Sequence, residues 1–528
     1  MSKRKIQMRP IIPNPILRGF NPDPSFCRVG EDIYLATSSF EYAPGIPLYH
    51  SRDLREWRQV GYALPEQRHL PLERSNAAQG IWAPTLRYIR GRFHVIYMLA
   101  ANKPWPDMFR NYYVSAPAIE GPWSEPVYVT NGGIDPDLFE DADGTVYFSY
   151  KCARTAPIDL ETGKLLAPFR QLWQGTRDDY AEATHLYRAH GYYYVMLAQG
   201  GTGPGHSVTM ARARSLDGPF EPCPWNPVLT HRGTSRRVQS VGHADLLQSA
   251  SGDWVAVCLG VRDVNGISPL GRETHLMPVA WRDGWPVLGE EGRMTDLESL
   301  TPPAPTPVDL RDDFESPEAP LFWNTRLGWG GETVARGGGT LRLTPNGGTL
   351  EADAETAWLG VRQPDFNAAV EIVLRPETLA AGQTAGLSVY VSPRYHLTLQ
   401  IRREHGNLVI ESILRAGETK ARLASETLAD ASPRRLRIES AARDEHGSIQ
   451  GAYRLRHAPA EGAEGAGDAP EFARSDLRLF GGTVTGTGFT GAFFACFGEG
   501  EGGGGGGVAF SDFRLQGESL DGQPVLVG

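Results

Sequence analysis

The chain is short of the residues that mark several large classes of protein. Its 528 residues include only five cysteines, Cys27, Cys152, Cys223, Cys258 and Cys496. They are scattered, odd in number and never in CxxC spacing, so neither a disulfide framework nor a zinc motif is indicated. A reducing, cytoplasmic setting is the expectation. Positive charge is also scarce: 52 lysines and arginines stand against 62 aspartates and glutamates, a formal net charge of −10. The acidic excess is spread along the chain, which argues against a nucleic-acid surface and an anionic-membrane anchor. No run of about 18 apolar residues occurs, and the basic start leads into Pro13 and Pro15 rather than an apolar stretch, so neither a membrane span nor an export signal is expected.

Turn-forming residues are plentiful, with 61 glycines and 40 prolines, too few for disorder and enough for a globular protein with many tight turns. The chain divides near residue 300, where Thr301-Pro-Pro-Ala-Pro-Thr-Pro307 favours an extended, semi-rigid connector. Before it, short aromatic-rich runs such as Ile33–Ala36, Phe93–Tyr97 and Val146–Tyr150 read as strands. After it, strictly alternating runs (Ala369–Leu374, His396–Ile401, Leu436–Glu439) mark strands with one wet and one dry face, and this half reads as a β-sandwich. Two Gly/Ala/Glu-rich tracts, Ala458 to Pro470 and Gly498 to Gly507, lack the apolar content for a core and read as mobile loops.

Repetition is the most informative feature of the first half. Five segments share an anchor residue, an apolar stretch, a Gly-containing or acidic turn and an aromatic strand: Asp23-Pro-Ser-Phe, Ala83-Pro-Thr-Leu, Asp135-Pro-Asp-Leu, Glu182-Ala-Thr-His-Leu and His243-Ala-Asp-Leu open them. The anchors are about 47 to 61 residues apart, room for a four-stranded sheet each. Phrases ending in Trp57, Trp123 and Phe220 recur as closing phrases, placing a turn and a large aromatic at the end of three of the units. The expected fold is therefore all-β: a five-bladed β-propeller over residues 1–305, followed by a β-sandwich of the concanavalin-like jelly-roll kind over 308–528, packed on it.

In a propeller the first strand of each unit lines a central channel, so Asp23, Asp135 and Glu182 should converge there. Glycosidic hydrolysis needs one carboxylic acid to protonate the leaving oxygen and one carboxylate to activate water. A third carboxylate nearby raises the acid's pKa by like-charge repulsion. The bland alternative is that Asp before Pro caps a turn, but turn-formers need not recur at one repeat position.

Asn21-Pro-Asp-Pro-Ser25, Ser39-Phe-Glu-Tyr-Ala-Pro-Gly45, Gly80-Ile-Trp-Ala-Pro84, Ile134-Asp-Pro-Asp-Leu-Phe139, Ala198-Gln-Gly-Gly-Thr202 and Gly271-Arg-Glu-Thr274, in this order, resemble the motif series of glycoside hydrolase family 43. Within it they look like the β-xylosidases with a carboxy-terminal β-sandwich. The resemblance implies an inverting exo-hydrolase with Asp23 as general base, Glu182 as general acid and Asp135 as the carboxylate that tunes and orients the acid. It further implies that Phe40 and Trp82 pack against a terminal pentose, that Arg272 binds sugar hydroxyls, and that Phe489, in Gly488-Phe-Thr-Gly-Ala-Phe493, reaches the pocket mouth from the sandwich.

His243 reads as a core histidine, a sugar contact or, as in some members, a ligand to a central calcium. A lone histidine is poor evidence for a metal that prefers oxygen, so no metal ligand is assigned and no cofactor is expected. His185 and Glu41 read as supporting residues. The sequence departs from the family at Ala183-Thr184-His185, where Gly-Pro-His is common, and at Gln199 in place of Glu. The expected activity is release of terminal β-D-xylose from xylobiose and short xylo-oligosaccharides, with α-L-arabinofuranosidase side activity. A dedicated α-L-arabinofuranosidase and a non-catalytic carbohydrate-binding propeller are the alternatives. The only partner expected besides the oligosaccharide is a second copy: a homo-oligomer, dimer or tetramer, by resemblance.

Overall fold

The computed structural model describes residues 11–12, 14–69, 72, 75–176, 180–264, 266–295, 297–298, 308–441, 451–460, 466–482, 489–501 and 507–518. The proline connector 301–307, Gly488 and the middle of each Gly/Ala/Glu-rich tract, at 461–465 and 502–506, lie outside them. The described residues are all-β with almost no helix. Its five cysteines are free thiols. Among the described residues no helix is long and apolar enough to cross a membrane.

The first half forms five consecutive antiparallel sheets, each built on four strands in simple up-and-down order. Their first strands are Ser25–Val29, Gly80–Ile89, Asp137–Glu140, Glu182–Ala189 and Val238–Gln248. Each packs against the next and the fifth packs against the first, so these strands close a ring. The local chemistry is that of hairpins. Arg90 and Gly91, between Ile89 and Arg92, both hold positive φ (50° and 77°), the mirror-image turn whose twist matches paired strands. The recurring phrases ending in Trp57, Trp123 and Phe220 do not close their units as expected: they connect the third strand of a sheet to its fourth, which follows them.

Within the ring a buried charge cluster ties the sheets together. The Arg87 guanidinium lies 2.7 Å from Asp245, 3.0 Å from Asp137 and 3.2 Å from the Ser25 hydroxyl. Tyr187 also donates to Asp245, at 2.6 Å. All five first strands or their ends take part through Ser25, Arg87, Asp137, Tyr187 and Asp245. Arg87 holds the Asp245 carboxyl far below the usual range against the opposing effect of burial.

The second half makes two stacked sheets of eight and six strands. Their facing residues, among them Leu359, Val370, Ile372, Leu387, Leu399 and Ile438, form one core. That core takes in Val264, Ile267 and Leu270 of the first half, so apolar burial is continuous across the two. Polar contacts reinforce it. Thr325–Arg326 pairs as a short strand with Tyr42–Ala43, and Asp365 bridges Arg18 and Arg262, the latter at 3.2 Å. Where Asn367–Arg375 turns outward its buried Glu371 is met by Arg437, so the wet face of this strand is an ion-pair layer rather than bare solvent.

Candidate active site

All eight residues singled out as site residues, Asp23, Phe40, Trp82, Asp135, Glu182, His243, Arg272 and Phe489, line one cavity of about 420 Å³. The anchors reach it because the backbone bends at the same repeat position. Asp23 (φ 54°), Asp135 (φ 55°) and His243 (φ 48°) are left-handed, and in the fourth unit the bend falls on Ala183 (φ 50°). Such a conformation is uncommon outside glycine and concentrates where function over-determines geometry. Ala183 bears this strain at the place where, by the resemblance, glycine is common and would take such a φ freely.

Asp23 is buried and fixed from both sides. Arg272 donates to Oδ1 at 2.7 Å and the Ser38 hydroxyl to Oδ2 at 2.5 Å. His243 Nδ1 lies 3.9 Å from Oδ1, and burial lowers its pKa to about 3, so it is neutral. Asp135 accepts the N–H of Ala183 at 3.0 Å and thereby grips the backbone next to Glu182. Burial, followed by the charges of Glu182 and Asp23, pushes the Asp135 carboxyl well above the usual range. Burial likewise pushes Glu182 up to about 7, against the pull of Lys151. The two carboxyls therefore titrate as one unit that retains a proton to about neutral pH.

The walls are aromatic. Phe40 stacks on Phe489 at 6.2 Å between ring centres, and Trp82 lies 6.1 Å from Phe40, 5.6 Å from Phe489 and 5.6 Å from Phe109. The Trp82 indole N–H donates to the Ala78 carbonyl at 3.0 Å. Ala78 N–H in turn donates to the buried Glu41 carboxylate at 3.1 Å, which is Glu41's part in the site. Phe489 belongs to the second half, and Arg272 holds it by donating to its carbonyl at 3.1 Å. Two residues on, Gly491 passes so close to Leu270 that an added Cβ would sit 2.2 Å from that carbonyl oxygen, so only glycine lets this segment reach the cavity.

His185 is buried outside the lining, with Nδ1 3.1 Å from Asp137. Gln199 also points away from the cavity and accepts from Thr209 at 2.6 Å and from the Thr176 N–H at 2.9 Å. Lining residues not singled out from the sequence include Phe109, Lys151, Tyr180 and His206. Among the described residues no group of three or more His, Cys, Asp or Glu side chains is placed to hold a metal ion. The arrangement offers a proton donor above its ordinary pKa, a second carboxylate oriented by two donors, and flat apolar faces, which is the equipment for acid–base hydrolysis of a sugar acetal.

Comparison with known proteins agrees with this chemistry. Residues 12–286 match the family described as glycosyl hydrolases family 43, and residues 311–516 match the β-xylosidase C-terminal concanavalin A-like domain. A non-reducing end α-L-arabinofuranosidase of Bacteroides ovatus is 39% identical over 413 residues, 75% of this chain and 77% of that protein. A xylan 1,3-β-xylosidase of a Vibrio species is 31% identical over 522 residues, 91% of this chain and 97% of that one. Among solved structures, a xylan β-1,4-xylosidase from Bacillus halodurans C-125 superposes with a TM-score of 0.85 at 30% identity, covering 96% of this chain and all of the other (100%).

Proposed function

The chain belongs to family 43 of the glycosyl hydrolases and is a glycoside hydrolase, and from that premise we propose an inverting exo-enzyme that removes terminal β-D-xylose from xylobiose and short xylo-oligosaccharides. The observation that carries this reading is the meeting of Asp23, Asp135 and Glu182 in one aromatic-walled cavity. Glu182 gives its proton to the leaving oxygen as the C1–O bond breaks. Asp23 takes a proton from the water whose oxygen bonds to C1 from the opposite face. Asp135 holds Glu182 through the Ala183 N–H, and the mutual repulsion of the two carboxyls lets the pair retain one proton for the leaving oxygen. Phe40, Trp82 and Phe489 supply stacking faces for the terminal ring, and Arg272 and His243 stand where sugar hydroxyls would lie.

We read the five sheets as blades of a propeller spanning residues 1–305 and the two later sheets as a sandwich domain spanning 308–528. The sandwich closes the pocket through Phe489, and a cavity near the lower end of the usual ~300–1,000 Å³ range suits one or two sugars rather than a polymer. The reaction as written needs no cofactor. No step is routed through a calcium ion. A cytoplasmic location and a homo-oligomer belong to the same reading and rest on the free thiols and the family resemblance.

Phe489→Ala is expected to lower kcat/KM for xylobiose roughly 3- to 10-fold, the equivalent of losing an aromatic contact of ~0.5–1.5 kcal/mol. Steady-state kinetics beside a thermal melt check this, and an unchanged rate would make the sandwich a bystander. A second substrate reading, a dedicated α-L-arabinofuranosidase, is favoured by the name of the Bacteroides ovatus relative. Rates on nitrophenyl β-xyloside and nitrophenyl α-arabinofuranoside decide between them. A faster xyloside supports the proposal, a faster arabinofuranoside replaces it with the second reading, and hydrolysis of neither removes both.

A further inference from the structure

Lys151 lines the same cavity as Glu182 and Asp135, and its backbone is held between the two segments that carry those carboxyls. The Lys151 N–H donates to the carbonyl of Ile134, next to Asp135, at 3.1 Å, and the Cys152 N–H to the carbonyl of Ala181, next to Glu182, at 3.0 Å. The turn that achieves this is strained, with Cys152 (φ 61°) and Ala153 (φ 50°) both left-handed. Thr184, wholly buried, pins it: its hydroxyl accepts the Ala153 N–H at 3.0 Å and donates to the Tyr150 carbonyl at 2.9 Å. A proline, which the resembling sequences commonly carry here, could make neither bond. The departure at Thr184 and the strained turn are thus one device.

We propose that the Thr184-pinned turn makes Lys151 a positioning residue that faces the acid pair with a fixed positive charge and thereby sets the upper pH limit of catalysis; this rests on Glu182 being the acid. The charged groups around Glu182 come from several elements. Asp23 opposes its ionisation, while Lys151 and Arg272 favour it, and Glu182 in turn raises the neighbouring Asp135. Arg272 is bonded to Asp23, which offsets its charge. His243 and His206 are neutral because burial lowers them to about 3 and about 4. Lys151 is the largest influence working against the rise that burial imposes on Glu182.

The test compares pH profiles of kcat/KM on nitrophenyl β-xyloside. Lys151→Met should move the basic limb upward by about half a pH unit or more, because the acid then holds its proton longer. Lys151→Arg should leave the limb in place. Thr184→Val, which loses both hydrogen bonds at similar volume, should move it in the same direction by less, and Thr184→Ser should not move it. An unmoved limb in an active, folded Lys151→Met protein overturns the proposal, and Lys151→Gln takes its place in the same comparison should the methionine variant not fold. Infrared difference spectra, with the Glu182 carboxyl band identified by its loss in Glu182→Gln, read the same titration without turnover. A shifted band in a protein that hydrolyses no xyloside would uphold the role of Lys151 and remove the substrate assignment, whereas an unshifted band removes the role itself.

Discussion

Glu182→Gln is expected to lower kcat/KM for xylobiose by about 10²–10⁴-fold, the usual worth of a positioned proton donor. The loss should shrink sharply for a dinitrophenyl xyloside, whose leaving group departs without protonation, and the basic limb of the pH profile should vanish with the titrating group. Equal losses on both substrates would mean that Glu182 supports the fold and not the chemistry. The same carboxyl makes a prediction about stability. Its folded-state pKa of about 7 lies above the ordinary 4.5, so what the neutral form contributes is fully present below pH 4.5 and is lost as pH rises toward 7. Glutamine does not titrate, so thermal melts should show the variant gaining on the parent across that window and matching its trend below it.

Asp23→Asn is expected to cost a comparable ~10²–10⁴-fold, but independently of the leaving group, because activating water is required whichever bond breaks. It also removes the counter-charge of Arg272, which is only 4% exposed and bonded to Asp23 at 2.7 Å. Leaving a buried charge unpaired typically costs ~3–5 kcal/mol, so a lowered melting temperature should accompany the lost rate. Rates measured well below that melt separate the two effects. A folded Asp23→Asn protein with near-parental rates on every substrate would take the base role from Asp23.

Much of the site was legible because repeat position carries spatial information. Asp23, Asp135 and His243 open equivalent units, and the ring of first strands brings equivalent positions to one place. Two residues further on, strand alternation returns the side chain to the same side, and Ser25, Asp137 and Asp245 all enter the Arg87 cluster. That second layer was harder to see because in the second and fourth units the cluster residues are Arg87 and Tyr187, which lie further along the strand from the anchors Ala83 and Glu182 than two residues. Lys151 had no signal of this kind, since it follows a second strand and reaches the cavity through left-handed backbone at Cys152 and Ala153 that no local propensity announces. His206 is placed by its Nδ1 contact, 3.0 Å from the Ser240 carbonyl 34 residues away in sequence, which a single sequence does not reveal.

The central claim is that water, activated by Asp23, attacks opposite the leaving group protonated by Glu182, with no covalent sugar–enzyme intermediate. Proton NMR of the first product released from a β-xyloside tests it directly, because the anomeric signal is read before mutarotation mixes the forms. The expected result is α-xylose first, with β-xylose growing in later; β-xylose as the initial product would contradict it.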